Sequence, residues 1–294
     1  MNKIFVLNKI TVFLLLICLL SCKPDLDFKI SGYTQKVIVE GYIVNGEYPK
    51  VSLSLNVPLS GQLDTNYIQK YIISNAKVTV SDNINSQAVG AKTEILTSTW
   101  NTSRFPPHSY YGTELIGEEG KIYYLTVSYG GYTMNAKTSI PFKTSIKEIV
   151  AAPTNEYLRN LYVKVEIDSL QKNSFLVYTR MKRDRYYKQS PILNSDFTLV
   201  GENTFLIDPN RGKNDPSFSE GGYFRKGDLV DIQFCTIDST STLFFKELSI
   251  FSSNAGIGSK LFLGEKEALK SNISYPGFGI WCGKATSHYS YIIP

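Results

Sequence analysis

Few side chains in this chain could act as a general base. The 294 residues include two histidines, His108 and His288, and neither accompanies a recognisable nucleophile. The sequence contains no Gly-x-Ser-x-Gly elbow, His-Glu-x-x-His helix, Cys-x-x-Cys pair or phosphate-binding loop. His108 falls in "RFPPHSYYG", which is typical of a solvated loop. We therefore predict no catalytic residues and no enzymatic activity, with one alternative left open: carboxylates brought together by the fold could form a hydrolase site.

One long polar stretch offers oxygen ligands for a metal ion. The segment "DPNRGKNDPSFSEGG" (208–222) departs from an EF-hand, because Gly212 takes the fifth place rather than the sixth and the glutamate falls one place late. The pattern favours an ordinary surface loop with Asp-Pro turns over a calcium site. No cofactor is predicted. The calcium candidates in this weaker alternative are Asp208, Asn210, Asp215 and Glu220.

Aromatic residues are abundant, with 20 tyrosines and 16 phenylalanines. Two clusters mix rings with basic residues, "TWNTSRFPPHSYYG" (99–112) and "RMKRDRYYKQ" (180–189). Exposed rings beside guanidinium groups form good recognition surfaces, and loops on a rigid β scaffold commonly carry binding residues. Cross-strand packing is the alternative explanation for so many tyrosines. The candidate ligand-binding residues are Trp100, Arg104, Phe105, Tyr110, Tyr111, Arg183, Arg185, Tyr186 and Tyr187.

The elements that must position these residues are strands. "VSLSLNV" (51–57) alternates apolar and polar residues, as a half-buried strand requires. Two further alternating runs meet at Gly130-Gly131, which predicts a two-residue hairpin because glycine tolerates positive φ. With "VIVEGYIV" (37–44) and "AKVTVSD" (76–82), this region predicts an Ig-like or transthyretin-like β-sandwich over 36–142.

The second half of the chain predicts another β-rich domain, over 143–294, with one helix near 239–253. Asp238 can cap the first amides of that helix. Leu243, Phe244, Leu248 and Phe251 are expected on its buried face. The predicted strands are 161–168, 174–181, 228–237 and 273–283. The fold class is therefore mainly β.

The N-terminal segment predicts export. Residues 1–21 combine Lys3 and Lys9 with an apolar run too short to span a bilayer as a mature helix. The ending "LLSC" resembles the lipobox of bacterial lipoproteins, in which the cysteine is acylated by fatty acids such as palmitate. Cys22 would then anchor the chain through its lipid, followed by a tether over 22–35. The formal net charge of +5 is interspersed rather than clustered, so no nucleic-acid partner is predicted.

Two cysteines remain in the predicted folded region, Cys235 and Cys282. Both lie in apolar contexts, "IQFCTI" and "GIWCGK". In an exported protein they could form a disulfide, or each could be a buried thiol. Sequence does not supply the geometry that would decide between these possibilities.

The order of motifs behind the lipobox resembles a known family. "VEGYIVNGEYPKVSLSLNVPL", "NAKVTVSD", "GKIYYLTVSYGGYTMNAKTSIP" and "SNISYPGFGIWCGK" are together similar to the Bacteroidota lipoproteins grouped as domain of unknown function 4249. The resemblance covers essentially the whole mature chain. It implies an outer-membrane lipoprotein, often encoded beside a TonB-dependent nutrient receptor, and it offers no catalytic residues to carry over.

These inferences combine into one functional hypothesis and two rivals. We expect a non-enzymatic, surface-exposed lipoprotein that captures a ligand as an accessory to a TonB-dependent receptor. The rivals are a carboxylate-dependent hydrolase of surface polymers and a structural or adhesive envelope protein. A cleft with two facing carboxylates would favour the hydrolase, whereas an aromatic patch without such a pair would favour binding.

Overall fold

The computed structural model describes residues 35–57, 69–101, 107–166, 174–182, 184–190, 193–194, 203–207, 223–253 and 270–294. The predicted signal segment and nearly all of the tether lie outside these ranges. The predicted site residues that lie outside the described residues are Cys22, Arg104, Phe105, Arg183, Asp208, Asn210, Asp215 and Glu220.

Strands dominate the described residues, which confirms the mainly β class. In chain order they are β1 (Val37–Val44), β2 (Lys50–Leu55), β3 (Lys77–Ser81), β4 (Thr93–Ile95), β5 (Thr97–Trp100), β6 (His108–Tyr111), β7 (Ile122–Tyr129), β8 (Tyr132–Ser139), β9 (Ile146–Pro153), β10 (Leu158–Val165), β11 (Ser174–Met181), β12 (Lys188–Gln189), β13 (Leu193–Asn194), β14 (Thr204–Ile207), β15 (Phe224–Arg225), β16 (Leu229–Ile237) and β17 (Gly277–Ile292). A helix, α1, spans Ser239–Ser253.

The strands form one large sheet and two small ones. The large sheet has nine strands in the order β12-β11-β16-β17-β1-β2-β6-β5, with β13 also beside β11. The first small sheet has the order β4-β3-β7-β8, and the second has the order β14-β10-β15 with β9 also beside β10. The predicted hairpin joins β7 to β8, where Gly130 and Gly131 have φ of 58° and 81°.

Both small sheets pack against the same face of the large sheet. Trp281, in the first half of β17, and Ala285, just past its midpoint, belong to a core shared with Tyr123 of the first small sheet. Tyr289 and Tyr291, in the second half, pack on a core shared with the second small sheet. Because residues two apart along a strand share a face, the 16-residue strand β17 contributes to two side-by-side β-sandwiches.

The helix lies on the opposite face of the large sheet. Asp238 caps it, since its Oδ1 accepts a bond from Ser241 N at 2.7 Å, and its Oδ2 accepts a bond from Thr138 Oγ1 at 2.8 Å. This cap ties the first turn to β8, and Phe244 and Phe245 then face the sheet. The predicted helix face is therefore wrong at two of its four positions, because Leu243 and Leu248 are exposed, and correct at Phe244, whereas the side chain of Phe251 lies outside what the structure describes.

The predicted division at 142/143 does not separate two sheets. β1 lies in the first predicted domain and β17 in the second, yet they pair in parallel over eight residues, from Val37 with Gly277 to Val44 with Lys284. Residues 35–56 and 71–294 form one compact unit. The two sandwiches exist, but they share a continuous sheet.

The strand register excludes the possible disulfide between Cys235 and Cys282. Cys235 in β16 lies opposite Thr286, which is four residues along β17 from Cys282. At about 3.3 Å per residue, this offset separates the two cysteines by about 13 Å along the sheet, whereas a disulfide needs Cα atoms within about 7 Å. Both side chains are buried free thiols, and burial raises the pKa of Cys282 to about 12.

His108 is not in a solvated loop, as the sequence predicts, but fully buried in β6. Its ring packs edge-on against Trp100 and Tyr110, with centroids 4.8 Å and 5.1 Å away. Within the described part of the chain, neither ring nitrogen has a hydrogen-bond partner. Burial lowers the pKa of His108, so the buried ring is held in its neutral form.

We expect His108→Phe to reduce the acid sensitivity of the fold. In the wild type the unfolded chain binds a proton below about pH 6.5, while the buried ring resists protonation, so stability falls as the pH falls. Between pH 7 and pH 5, the free energy of unfolding of the wild type should fall by about 1–2 kcal/mol more than that of the variant. Urea unfolding at both pH values measures this difference. Substitution of the exposed His288 by Gln is the control, and an equal pH dependence of wild type and His108→Phe would contradict the prediction.

Candidate functional site

A cavity of about 390 Å³ lies beside α1 on the face of the large sheet opposite the two small sheets. Alternation along β17 places Lys284, Thr286 and His288 on this face, after Cys282 has packed under the helix. The neighbouring strands add further side chains, chiefly polar and aromatic. We call this space the lysine cavity, and its main lining residues are Glu40, Tyr42, Glu47, Tyr178, Tyr187 and Lys284.

Lys284 is the central feature of the cavity. Its side chain is 7% exposed, although lysine is rarely buried without a partner. Its Nζ donates a hydrogen bond to the hydroxyl of Tyr178 at 3.0 Å and lies 3.5 Å from the ring centroid of Tyr42. Among the described residues, no carboxylate forms an ion pair with it. The ammonium is therefore held by one oxygen and a ring face, which leaves N–H donors without an acceptor among the described residues.

The charge states of these groups follow from their surroundings. Burial lowers the pKa of Lys284, but Tyr178 and the two nearby thiols outweigh burial and place its pKa above the usual value. Burial raises the pKa of Tyr178, and burial together with Glu40 raises the pKa of Tyr42 well above its usual value. At neutral pH the cavity therefore contains a buried cation between two protonated phenols.

Two carboxylates line the same cavity. Glu40 is exposed and accepts a hydrogen bond from the hydroxyl of Tyr42 at 2.8 Å. Glu47 is exposed in the turn after β1, where its amide donates to Val44 O at 3.0 Å. The charge therefore changes from positive at the buried Lys284 to negative at the exposed residues.

The second predicted aromatic cluster contributes one residue to this site. Tyr187 lines the cavity, and the guanidinium of Arg180 lies 4.7 Å from its ring centroid. Arg185 and Tyr186 are exposed and also contact each other, with 5.2 Å between guanidinium and ring centroid. The structure therefore brings Tyr187 to the cavity, whereas Arg185 and Tyr186 do not line it.

The first aromatic cluster requires a correction at Tyr110. This residue is 1% exposed and belongs to the core of the first sandwich. Its hydroxyl accepts a bond from Ala76 N at 2.9 Å and donates to Ile73 O at 3.3 Å. The prediction that Tyr110 binds a ligand is wrong, because its position on the sandwich face of β6 makes it a core residue.

The other two described residues of that cluster lie away from the cavity. Trp100 is 55% exposed in β5, at the end of the sheet order, and packs on His108 on the sandwich face. Tyr111 lies on the cavity face but farther along the sheet, where the Nζ of Lys50 is 5.5 Å from its ring centroid. The described residues of this cluster are therefore not gathered into one patch.

Sequence reasoning did not identify Lys284, Tyr42 or Tyr178 as site residues. One feature of the sequence could have indicated the site, the charged Lys284 in "GIWCGKATSHYS". It follows an apolar strand segment, and alternation places it on the same strand face as Cys282. The tyrosines are 136 residues apart in sequence and look like ordinary strand residues. Both tyrosines reach Lys284 only because of the strand order. β1 pairs with one edge of β17, and β16 pairs with the other edge and has β11 on its far side.

We expect Lys284→Met to preserve or increase stability, by up to about 2 kcal/mol, because a buried cation without a carboxylate gains little from its surroundings. Methionine has a similar length and can pack on the two tyrosine rings. Urea unfolding monitored by circular dichroism measures the effect. Lys137→Met, at an exposed position of β8, is the matched control. A loss of more than about 1 kcal/mol at position 284 would show that the ammonium holds the fold together.

Two β-sandwiches that share one sheet, with a lysine cavity on the outer face of that sheet, define a β-sandwich protein with a small-molecule-sized cavity. The chain belongs to the family described as Domain of unknown function (DUF4249), whose model matches residues 23–289. No curated protein matches.

Among solved structures, the chain is similar to the "two fibronectin type-III domain segment from chicken tenascin". The sequence identity is 11%, the TM-score is 0.22, and the match covers 67% of this chain and 88% of that chain.

Membrane-spanning helices and clusters of metal ligands are both absent from the described residues. None of their helices has the length and hydropathy needed to cross a bilayer. Within the same residues, no three or more histidine, cysteine or acidic side chains converge as metal ligands would.

Proposed function

We propose that this protein is a surface-exposed outer-membrane lipoprotein that captures a small ligand and delivers it to a TonB-dependent nutrient receptor. The lysine cavity is the observation that supports capture. A buried cation with unused N–H donors is costly to maintain in a fold and useful to a ligand that supplies the missing acceptor. The proposed capture surface is therefore the outer face of the large sheet rather than the loops.

The anchor and the partner rest on the N-terminal segment and the motif order. The lipobox ending at Cys22 supports lipid attachment. The resemblance to lipoproteins encoded beside TonB-dependent receptors supports a receptor of that class as the partner. In this arrangement the acyl chains hold the folded unit at the outer membrane, where it can concentrate ligand next to the receptor.

One observation favours the hydrolase as a second candidate. Glu40 and Glu47 line the same cavity, and two carboxylates flanking a bond are the requirement for glycoside hydrolysis. Against this role, the hydroxyl of Tyr42 already donates to Glu40, and Lys284 lies between aromatic rings rather than beside a nucleophile. Turnover of a polysaccharide that disappears in Glu40→Gln and in Glu47→Gln would favour the hydrolase over capture.

Purification of the tagged full-length lipoprotein from its native membranes in mild detergent tests the receptor partnership. We expect a TonB-dependent receptor to co-purify in stoichiometric amount. An unrelated tagged lipoprotein from the same membranes controls for nonspecific association. Recovery of the protein alone, under conditions that preserve known receptor complexes, would overturn the partnership.

We expect Cys22→Ala to abolish acylation, because the thiol is the acceptor of the lipid. Metabolic labelling with radioactive palmitate should mark the wild type and the control Cys235→Ala, but not Cys22→Ala. The label measures acylation directly, so retention of an uncleaved signal segment in the membrane does not confuse the result. Equal labelling of Cys22→Ala would contradict the proposed anchor.

A further inference from the structure

The lysine cavity has a charge arrangement that restricts what can bind there. Lys284 supplies a buried positive charge, and among the described residues no carboxylate forms an ion pair with it. A ligand that brings an acceptor with a negative charge would complete its hydrogen bonds in a poorly solvated site, where such bonds are strong. The buried end of the cavity therefore selects an anionic group.

Tyr178 adds a second donor at the same place. Its phenolic oxygen accepts a bond from the Lys284 Nζ, so its own proton can be donated elsewhere. Among the described residues, that proton has no acceptor. The ammonium and the hydroxyl lie 3.0 Å apart and each retains a donor, a pair that suits the two oxygens of a carboxylate.

The exposed lining residues restrict the rest of the ligand. Glu40 and Glu47 give the cavity two carboxylates against one buried lysine. A phosphate or another dianion would be repelled by this surplus of negative charge. A ligand that combines one carboxylate with an ammonium group would instead satisfy both ends of the cavity.

We infer that the lysine cavity binds a zwitterion of amino-acid or dipeptide size, with its carboxylate on Lys284 and Tyr178 and its ammonium toward Glu40, the carboxylate that accepts a hydrogen bond from Tyr42. The volume of about 390 Å³ is within the range of small-ligand sites. The rings of Tyr42 and Tyr187 supply apolar walls for the carbon skeleton. This inference rests on the proposed function, since it names the chemistry of the captured ligand.

Saturation-transfer NMR on the detergent-solubilised full-length protein tests the inference. The probes are a mixture of the twenty common L-amino acids and a mixture of the twenty glycyl dipeptides, with inorganic phosphate as the competitor. We expect at least one zwitterion to bind saturably and phosphate not to displace it. Absence of binding from both mixtures, or displacement by phosphate, would overturn the inference.

Derivatives of the best zwitterion test the two ends separately. Its C-terminal amide lacks the carboxylate, and its N-acetyl form lacks the ammonium. Both should bind at least about 10-fold more weakly, since each leaves a charged protein group without its partner. Equal binding of the amide would exclude Lys284 as the carboxylate site. Equal binding of the N-acetyl form would exclude the assigned role of Glu40.

Variants place the ligand in the cavity. Lys284→Met should weaken binding by about 30-fold or more, whereas the exposed control Lys137→Met should not change it. Tyr178→Phe removes only a hydroxyl and should weaken binding by about 3- to 10-fold, which keeps the test valid if Lys284→Met fails to fold. Unchanged affinity in both cavity variants would overturn the assignment. Failure here would leave receptor co-purification intact, so the two proposals can fail independently.

Discussion

Trp281→Ala is expected to destabilise the protein by about 4 kcal/mol, because it removes the largest fully buried side chain and leaves a cavity in the first sandwich. The indole also links the two sheets, since its Nε1 donates to Tyr123 O at 3.1 Å. Removal of the ring leaves that carbonyl without this donor. The backbone of Trp281 is held by Asn272. The Oδ1 of Asn272 accepts a bond from Trp281 N at 2.9 Å, and its Nδ2 donates a bond to Trp281 O at 2.7 Å.

The space for this ring depends on a glycine in the neighbouring strand. Gly41 lies opposite Trp281 in the β1–β17 register, and a Cβ at that position would lie 2.6 Å from the Cε3 of the indole. Gly41→Ala should therefore destabilise the wild type but be tolerated in the Trp281→Ala background. We expect a coupling energy greater than about 1 kcal/mol between the two positions. Additive effects would contradict this direct steric contact.

Urea unfolding monitored by circular dichroism measures both effects. Trp100, the other of the two tryptophans, is 55% exposed, and Trp100→Ala is the matched control with an expected cost below about 1 kcal/mol. In a Trp100→Phe background, intrinsic fluorescence reports on Trp281 alone and should shift to the red when the first sandwich opens. A cost at Trp281 as small as that at Trp100 would contradict its role in the core.

Glu94→Ala is expected to cost about 3 kcal/mol, because the buried carboxylate is the shared acceptor for a run of backbone amides. Its Oε1 accepts bonds from Thr113 N and from Glu114 N, the latter at 3.1 Å, and its Oε2 accepts from Leu115 N at 2.9 Å. These bonds fasten β4 to the segment before β7. Without the carboxylate, amides in this part-buried segment lose their acceptors.

The contribution of Glu94 should depend on pH in a defined direction. Burial raises its pKa, but the amides of Leu115, Thr113 and Glu114 outweigh burial, so the pKa of Glu94 lies below its usual value. A lowered pKa in the folded state means that stability is fully present above about pH 4.3 and is lost as the pH falls through the folded-state pKa. The stability difference between wild type and Glu94→Gln should be constant from pH 7 to pH 5 and then shrink.

Acid titration of urea unfolding tests this pH dependence, with Glu114→Gln as the control. Glu114 is an adjacent carboxylate that is exposed, so its removal should change stability by less than about 0.5 kcal/mol. If the stability difference between wild type and Glu94→Gln increased at acidic pH, the folded state would stabilise the protonated carboxyl of Glu94. That outcome would contradict the role of the carboxylate as an amide acceptor.

Local features of this protein could be predicted from its sequence where a short-range rule applies. The alternating run before Gly130-Gly131 correctly predicted β7, in which Tyr123, Leu125 and Val127 are buried, because side-chain direction in a strand depends only on position along it. The glycine pair correctly predicted the hairpin. Asp238 was correctly predicted as the helix cap, since capping needs only a side chain and the amides that follow it.

The same local rules failed where a face had to be assigned. His108 and Tyr110 were expected in a loop, yet both are buried on the sandwich face of β6. The predicted buried face of α1 was wrong at Leu243, because the Asp238 cap sets which side of the first turn faces the sheet. The buried or exposed state of these side chains depends on which surface packs against them, and that information lies in distant parts of the chain.

Sequence alone determined the β class, the turn and cap residues and the chemical context of Cys22, because each of these depends on near neighbours in the chain. Tertiary structure decided that β17 serves two sandwiches and pairs with β1, about 240 residues earlier in the chain. Many apolar strands could pair equally well by pattern, so only packing selects the partner. That selection places Lys284 between Tyr42 and Tyr178 and so creates the cavity on which the proposed function rests.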